Sequence, residues 1–217
     1  MKENEAEQTK GKFSVGLGLF DYINPILYGI TVITIMIKLH GAMSTAAYVI
    51  FMIGAVMSLV FGLAIPTGKL LVGLGKVKFR LPVKLVSFVN TGILLSGIAL
   101  SGYVLNIKPL IFVFILLAAA ALLGLLWYKT GKFNSAAVML GAVGYLMIYA
   151  SFITMSIRKG MAAPVFFCAF SICLMVFLCL IGIKANLKDA NVHWKIEITN
   201  VTCQLSVAIA TLLLLCR

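Results

Sequence analysis

The chain reads as long apolar runs cut by short polar breaks. A helix that crosses the hydrocarbon layer needs about 20 mostly apolar residues. Runs of that kind fall at about 20–38, 43–65, 83–106, 108–128, 134–157, 161–184 and 196–216. They predict seven transmembrane helices, spans 1 to 7, in an all-α polytopic membrane protein. Residues 1–19 are expected to form a polar N-terminal tail, and residues 20–217 the seven-helix domain. Only Asn106, Ile107, Lys108 and Pro109 separate spans 3 and 4. Proline is tolerated in a first helical turn, so Pro109 is expected to open span 4. Thr67-Gly68-Lys69 and Thr130-Gly131-Lys132 are expected to end spans 2 and 4. Glycine can close a helix in the left-handed conformation, and lysine complements the carbonyl end of the dipole.

Composition agrees with this reading. Of 217 residues, 62% are apolar and only 11% charged, against about half and a quarter in soluble domains. The net charge of +12 would suggest nucleic acid in a soluble protein. Here the basic residues sit in short loops, where they orient membrane proteins and attract anionic lipid. Lys and Arg crowd the tail and loops 2–3, 4–5 and 6–7. Lys38, Lys108, Arg158, Lys159 and Arg217 are left for the other side. The N-terminus is therefore predicted to be cytoplasmic and the C-terminus outside, in the cell membrane. The tail lacks the order of a signal peptide, so span 1 is expected to remain in the mature protein. Lys76, Lys78, Arg80 and Lys84, in and beside "KVKFRLPVK" (76–84), are expected to contact anionic lipid headgroups.

The polar residues inside the runs carry the functional question. Span 3 contains "NTGILLS" (90–96), with Gly92, Gly97 and Gly102 spaced every five residues. Small residues let helices approach closely, and hydroxyls and amides bond across the contact. Span 3 is therefore expected to be a central packing helix. Span 7 echoes it with "NVTCQLS" (200–206), sharing the pattern N-x4-L-S. "TIMIKLHG" (34–41) and "ITMSIRKG" (153–160) align Met36 with Met155 and Gly41 with Gly160. These matches suggest that spans 1–3 are repeated as spans 5–7, with span 4 as linker. Transporters commonly hold their site at such a repeat interface.

In layout the chain resembles the three-plus-one-plus-three plan of the sugar-transporting SWEET and PQ-loop families. The resemblance implies a substrate pocket with an asparagine from each triple-helix unit, and Asn90 and Asn200 are the matching positions. The paired Pro-Gln signature of those families is missing. Span 1 has Asn24-Pro25, span 5 has no proline, and the charge bias gives the opposite orientation, so the chain is not assigned to them.

Catalytic chemistry finds little material. Asp21 opens span 1, in "FDYINP", where it is expected to cap the helix or to pair with a loop lysine rather than to carry function. Glu197 opens span 7, and His193, Trp194, Lys195 and Glu197 are expected to anchor at the interface. No span centre holds an ionisable residue, so neither a buried dyad nor an ion-coupled site is expected. Cys168, Cys173, Cys179, Cys203 and Cys216 all lie in apolar runs without CxxC, which predicts buried thiols rather than a metal or disulfide framework. No cofactor, metal, nucleic acid or enzymatic activity is expected. The leading expectation is a facilitator for a small uncharged polar solute or a lipid-like molecule, lined by Asn90, Ser96, Asn200, Gln204 and Ser206. Amides there both donate and accept, replacing the solute's water. The rival expectation is a non-enzymatic subunit that anchors or stabilises a membrane protein partner, or that self-associates.

Overall fold

The computed structural model describes residues 14–76, 83–130, 133–184 and 190–216. Among them the chain forms helices and no strand. They are α1 Val15–Asp21, α2 Ile23–Leu39, α3 Thr45–Gly73, α4 Val83–Val104, α5 Pro109–Thr130, α6 Phe133–Arg158, α7 Ala162–Lys184 and α8 Ala190–Leu215. Five segments are long and apolar enough to cross a membrane: Val15–Leu39, Thr45–Gly73, Leu85–Val104, Met139–Arg158 and Trp194–Leu215. The protein is an α-helical membrane protein. Exposed side chains such as Ile37, Val60, Phe114 and Ile157 face outward from the bundle, as lipid-facing positions do.

The first helical segment begins at Val15 and is broken at Tyr22. Pro25 causes the break. It has no N–H, and its ring presses on the carbonyl four residues back, that of Asp21. Ser14 caps α1, its Oγ accepting from Leu17 N at 3.1 Å. Tyr22 Oη and Thr67 Oγ1 lie 2.6 Å apart and tie the break to α3.

Helix α3 departs from the sequence expectation. It does not stop at Thr67-Gly68-Lys69 but runs to Gly73. The residue that closes it is Gly75, at φ 70°, with Lys76 N bonded to Leu71 O at 3.0 Å. Leu70, Leu71 and Val72 prolong the apolar run, and Lys69 has buried partners, so the earlier glycine stays helical. At 29 residues α3 is about 43 Å long at 1.5 Å per residue. That exceeds a hydrocarbon layer of about 30 Å.

Helix α4 is the central packing helix that its small residues predict. Its segment is the most buried of the five, and its contacts with α6 and α3 are the most extensive in the bundle. A side-chain carbon at Gly54 would strike the Gly92 carbonyl, and one at Gly97 the Gly144 carbonyl. Backbone thus lies on backbone at both faces. Hydroxyls lock the contacts: Ser58 Oγ donates to Val89 O at 3.0 Å, and Ser101 Oγ lies 3.1 Å from Ser151 Oγ.

The neighbour relations close a ring. Helix α2 touches α3, α3 touches α4, α4 touches α6, α6 touches α7, α7 touches α8, and α8 returns to α2. Helix α5 lies outside the ring, chiefly against α6. One end of the interior is filled by Ile35, Phe51, Leu100, Phe152 and Leu214, all at most 1% exposed. At that end Arg158 Nη1 donates to Val104 O at 2.7 Å and Lys159 Nζ to Leu214 O at 2.9 Å. They satisfy last-turn carbonyls that α4 and α8 cannot satisfy themselves.

Candidate functional site

The other end of the ring is polar. Lys69 Nζ lies 2.7 Å from Asp21 Oδ2 and 2.6 Å from Glu197 Oε1. Asp21, Lys69 and Glu197 are 6%, 5% and 5% exposed. Asn24 Nδ2 donates to Asp21 Oδ1 at 3.3 Å and to Glu197 Oε2 at 3.1 Å. The break at Pro25 sets the position of Asp21 and Asn24. The extension of α3 carries Lys69, and α8 carries Glu197. One positive charge therefore meets two negative ones out of water. Such burial costs several kcal/mol per ion, on the order of what the pairing returns. Ionisable residues placed this way mark function by default.

The expectation concerns the span centres and holds that no buried carboxyl pair can be assembled; near the span ends the structure brings Asp21 and Glu197 together, buried, on Lys69. Asp21 is no simple cap, Lys69 no helix-end punctuation, and Glu197 no interfacial anchor. The Trp194 ring lies 5.5 Å from that of Phe20.

The cluster forms one wall of a cavity of about 230 Å³, room for several waters or a small solute at about 30 Å³ per water. The cavity follows α3 from Lys69 to Ser58, about 16 Å at 1.5 Å per residue. Glu197, Asn200 and Gln204 line it from α8. Their spacing places them on one helix face. Pro25 and Pro66 also stand in the wall. Pro66 lacks the N–H that would serve the Gly62 carbonyl, and Gly62 lines the same space.

Two polar atoms in this wall are buried without a hydrogen-bond partner, Asn24 Oδ1 and Tyr28 Oη. Ser58 and Ser96 neighbour the Tyr28 hydroxyl, yet they donate to Val89 O and Gly92 O, each at 3.0 Å. Asp21 Oδ2 is held by its ion pair with Lys69. Past Tyr28 and Gln204 the space narrows to about 10 Å³ among Val32, Ile35, Phe51 and Tyr149. A water needs about that much room and two to four polar partners, and this lining is mostly apolar.

The sequence-predicted residues divide. Asn200 and Gln204 line the cavity, and Gln204 Nε2 donates to Tyr145 Oη at 3.0 Å. Asn90 is half-buried and lies elsewhere. Its Nδ2 donates to Val86 O of its own helix at 2.8 Å, and its side chain fills the space beside Gly141. Ser96 Oγ bonds Gly92 O at 3.0 Å, and Ser206 Oγ bonds Thr202 O at 2.9 Å, each within its own helix. The structure thus brings Asn200 and Gln204 together and leaves Asn90, Ser96 and Ser206 in helix packing. Lys76 is exposed at the end of α3. Lys78 and Arg80 lie outside the described residues, as does the side chain of Lys84.

Sequence reasoning missed Asn24, Tyr28, Ser58 and Lys69 as cavity residues. One signal was available: three apolar residues follow Lys69, which argues for a helix that continues through it. Among the described residues no three side chains of His, Cys, Asp or Glu gather as metal ligands. Cys168 and Cys203 are buried thiols, Cys203 Sγ lying 3.3 Å from Tyr149 Oη, whereas Cys173 and Cys216 are exposed, against the expectation of buried thiols throughout. No family model, no curated protein and no solved structure matches the chain.

Proposed function

We propose that the protein is a transporter for a small polar solute, with seven spans in the cell membrane, the N-terminus cytoplasmic and the C-terminus outside, and no chemical step of its own. The cavity carries this reading. Its wall carries polar and charged side chains from both the early spans and α8, and an apolar constriction adjoins it at Tyr28, Tyr145 and Gln204. The amides of Asn24, Asn200 and Gln204 and the phenol of Tyr28 replace a solute's lost hydrogen bonds. The constriction keeps the pathway shut on one side. Lys69 lies about 36 Å along α3 from Thr45 at 1.5 Å per residue. The cluster therefore stands near headgroup level on the side of the tail, which is the cytoplasmic side in this orientation.

The ring supports the three-plus-one-plus-three repeat. Exchanging the first three spans with the last three maps each neighbouring pair onto another pair. Gly41 and Gly160, aligned in sequence, both take left-handed backbone, at φ 79° and 66°, each just after the first span of its half. Ser58 Oγ reaches Val89 O at 3.0 Å, and Ser171 Oγ reaches Cys203 O at 3.3 Å, so the second and third spans of each half join in the same way. This register pairs Asn90 with Gln204 rather than with Asn200.

The test is counterflow exchange with purified, reconstituted protein across a broad panel of small polar solutes. Exchange that is lost in Asn200→Ala and Gln204→Ala supports the reading. No exchange of any solute by well-folded protein would sink it. A stoichiometric membrane protein that co-purifies in mild detergent would instead favour the partner-stabilising subunit.

A further inference from the structure

We propose that the Asp21–Lys69–Glu197 cluster holds one exchangeable proton, and that this proton is the coupling ion of transport. The first half stands on the cluster alone, and the second rests on the transport reading above.

With every group ionised, the buried cluster carries one excess negative charge. Both carboxyl groups contact the same ammonium, at 2.7 and 2.6 Å, and both accept from the Asn24 amide, at 3.3 and 3.1 Å. Two carboxylates so close cannot both ionise cheaply. The missing positive charge is a proton or another cation. A metal cation would have to sit beside the Lys69 ammonium, which repels it and already occupies the Oδ2 and Oε1 faces. A proton needs no coordination shell. The buried, unpartnered Tyr28 Oη and Asn24 Oδ1 are the independent sign that the cavity beside the cluster takes polar occupants. Water there receives the proton when a carboxyl O–H bond breaks, leaving the carboxylate behind.

Each helix packed at the cluster presents its own groups to it. Helix α1 offers Asp21, α2 the Tyr28 phenol, α3 Lys69, and α6 the Tyr145 phenol. Helix α8 carries Glu197 itself, with Lys195 exposed. The described side chains of α4 and α7 carry no charge. Coupling follows from connectivity. Asp21 and Lys69 belong to the first half and Glu197 to the second. Loading the proton leaves one balanced ion pair in the cluster, and releasing it restores an excess charge where Glu197 of the second half meets Asp21 and Lys69 of the first. Proton occupancy is therefore felt where the halves must move.

Infrared difference spectroscopy on the purified full chain through a pH titration tests this. The carbonyl stretch of a protonated carboxyl group reads the site directly, and wild type minus variant removes the solvent-exposed tail acids. We expect one such band in wild type, absent from both Glu197→Gln and Asp21→Asn. Each variant leaves one carboxylate against Lys69, so each is expected to fold, as gel filtration and melting will check. No such band in wild type, or an unchanged band in both variants, overturns the inference. A band without solute exchange in the counterflow panel upholds the proton site and overturns its transport role. Solute exchange without the band leaves a transporter and removes the proton.

Discussion

Replacing Lys69 with methionine isolates the energetics of the cluster. At an effective dielectric of about 20, a unit pair at 2.7 Å attracts by roughly 6 kcal/mol, and Lys69 makes two such contacts. Desolvation of the three ions offsets most of this, at several kcal/mol each. Removing only the cation leaves the carboxylates buried without compensation, which costs about 3–5 kcal/mol. An independent bound agrees. A carboxylate can escape by taking a proton, and at pH 7 an ordinary carboxyl group with pKa about 4 pays roughly 4 kcal/mol to do so. For a chain of this size about 1 kcal/mol moves the melting temperature by about 2–4 °C. Lys69→Met is therefore expected to melt roughly 6–20 °C below wild type in detergent. Glu197→Gln leaves a balanced Asp21–Lys69 pair and is expected within about 1 kcal/mol of wild type by the same balance. The deficit of Lys69→Met should shrink as pH falls, because protonation relieves unpaired carboxylates. Intrinsic tryptophan fluorescence during heating, at several pH values, measures all three. Lys69→Met melting with wild type while Glu197→Gln melts far below it would refute the reasoning.

Gly97→Ala drives a methyl group into the Gly144 carbonyl and is expected to destabilise by about 1–3 kcal/mol, whereas Gly124→Ala meets open space and should melt with wild type. In a cysteine-free background, Asn200→Cys is expected to label with a water-soluble thiol reagent and Asn90→Cys to be protected; equal labelling would contradict the placement of the cavity. Asn24→Leu removes the donor shared by both carboxylates and is expected to cost about 1.5–3 kcal/mol, read as a melting shift that Asn24→Gln partly restores.

The fold was legible where apolar length and small residues decide it. Five membrane-length helices follow from the hydrophobic runs, and the packing role of α4 follows from Gly92 and Gly97, because close approach requires missing side chains. The site was less legible because it depends on which residues meet across the ring. Asp21 and Glu197 look like ordinary interfacial acids within their own segments. Lys69 looks like a helix end because Gly68 precedes it, and only its distant partners reveal that the helix continues. Asn200 and Gln204 could be picked out since polar residues at helical spacing share a face. Asn90 has the same chemistry, yet it satisfies its amide on its own backbone beside Gly141, a choice local sequence does not announce.

Ring closure also has a history in time. Asn24 and Glu197 meet across 173 positions, so the first contact of the seam waits for the last helix to be made. Until then a growing chain can pair Asp21 with Lys69 and remain neutral at that point, while Asn24 and the cavity face of α2 stand open to lipid. The last helix must bring its own charge into a place already balanced, and it does so beside an amide waiting to receive it. Chains cut short before α8 therefore carry an exposed polar seam, which marks them as unfinished to any machinery that surveys the membrane for unassembled helices.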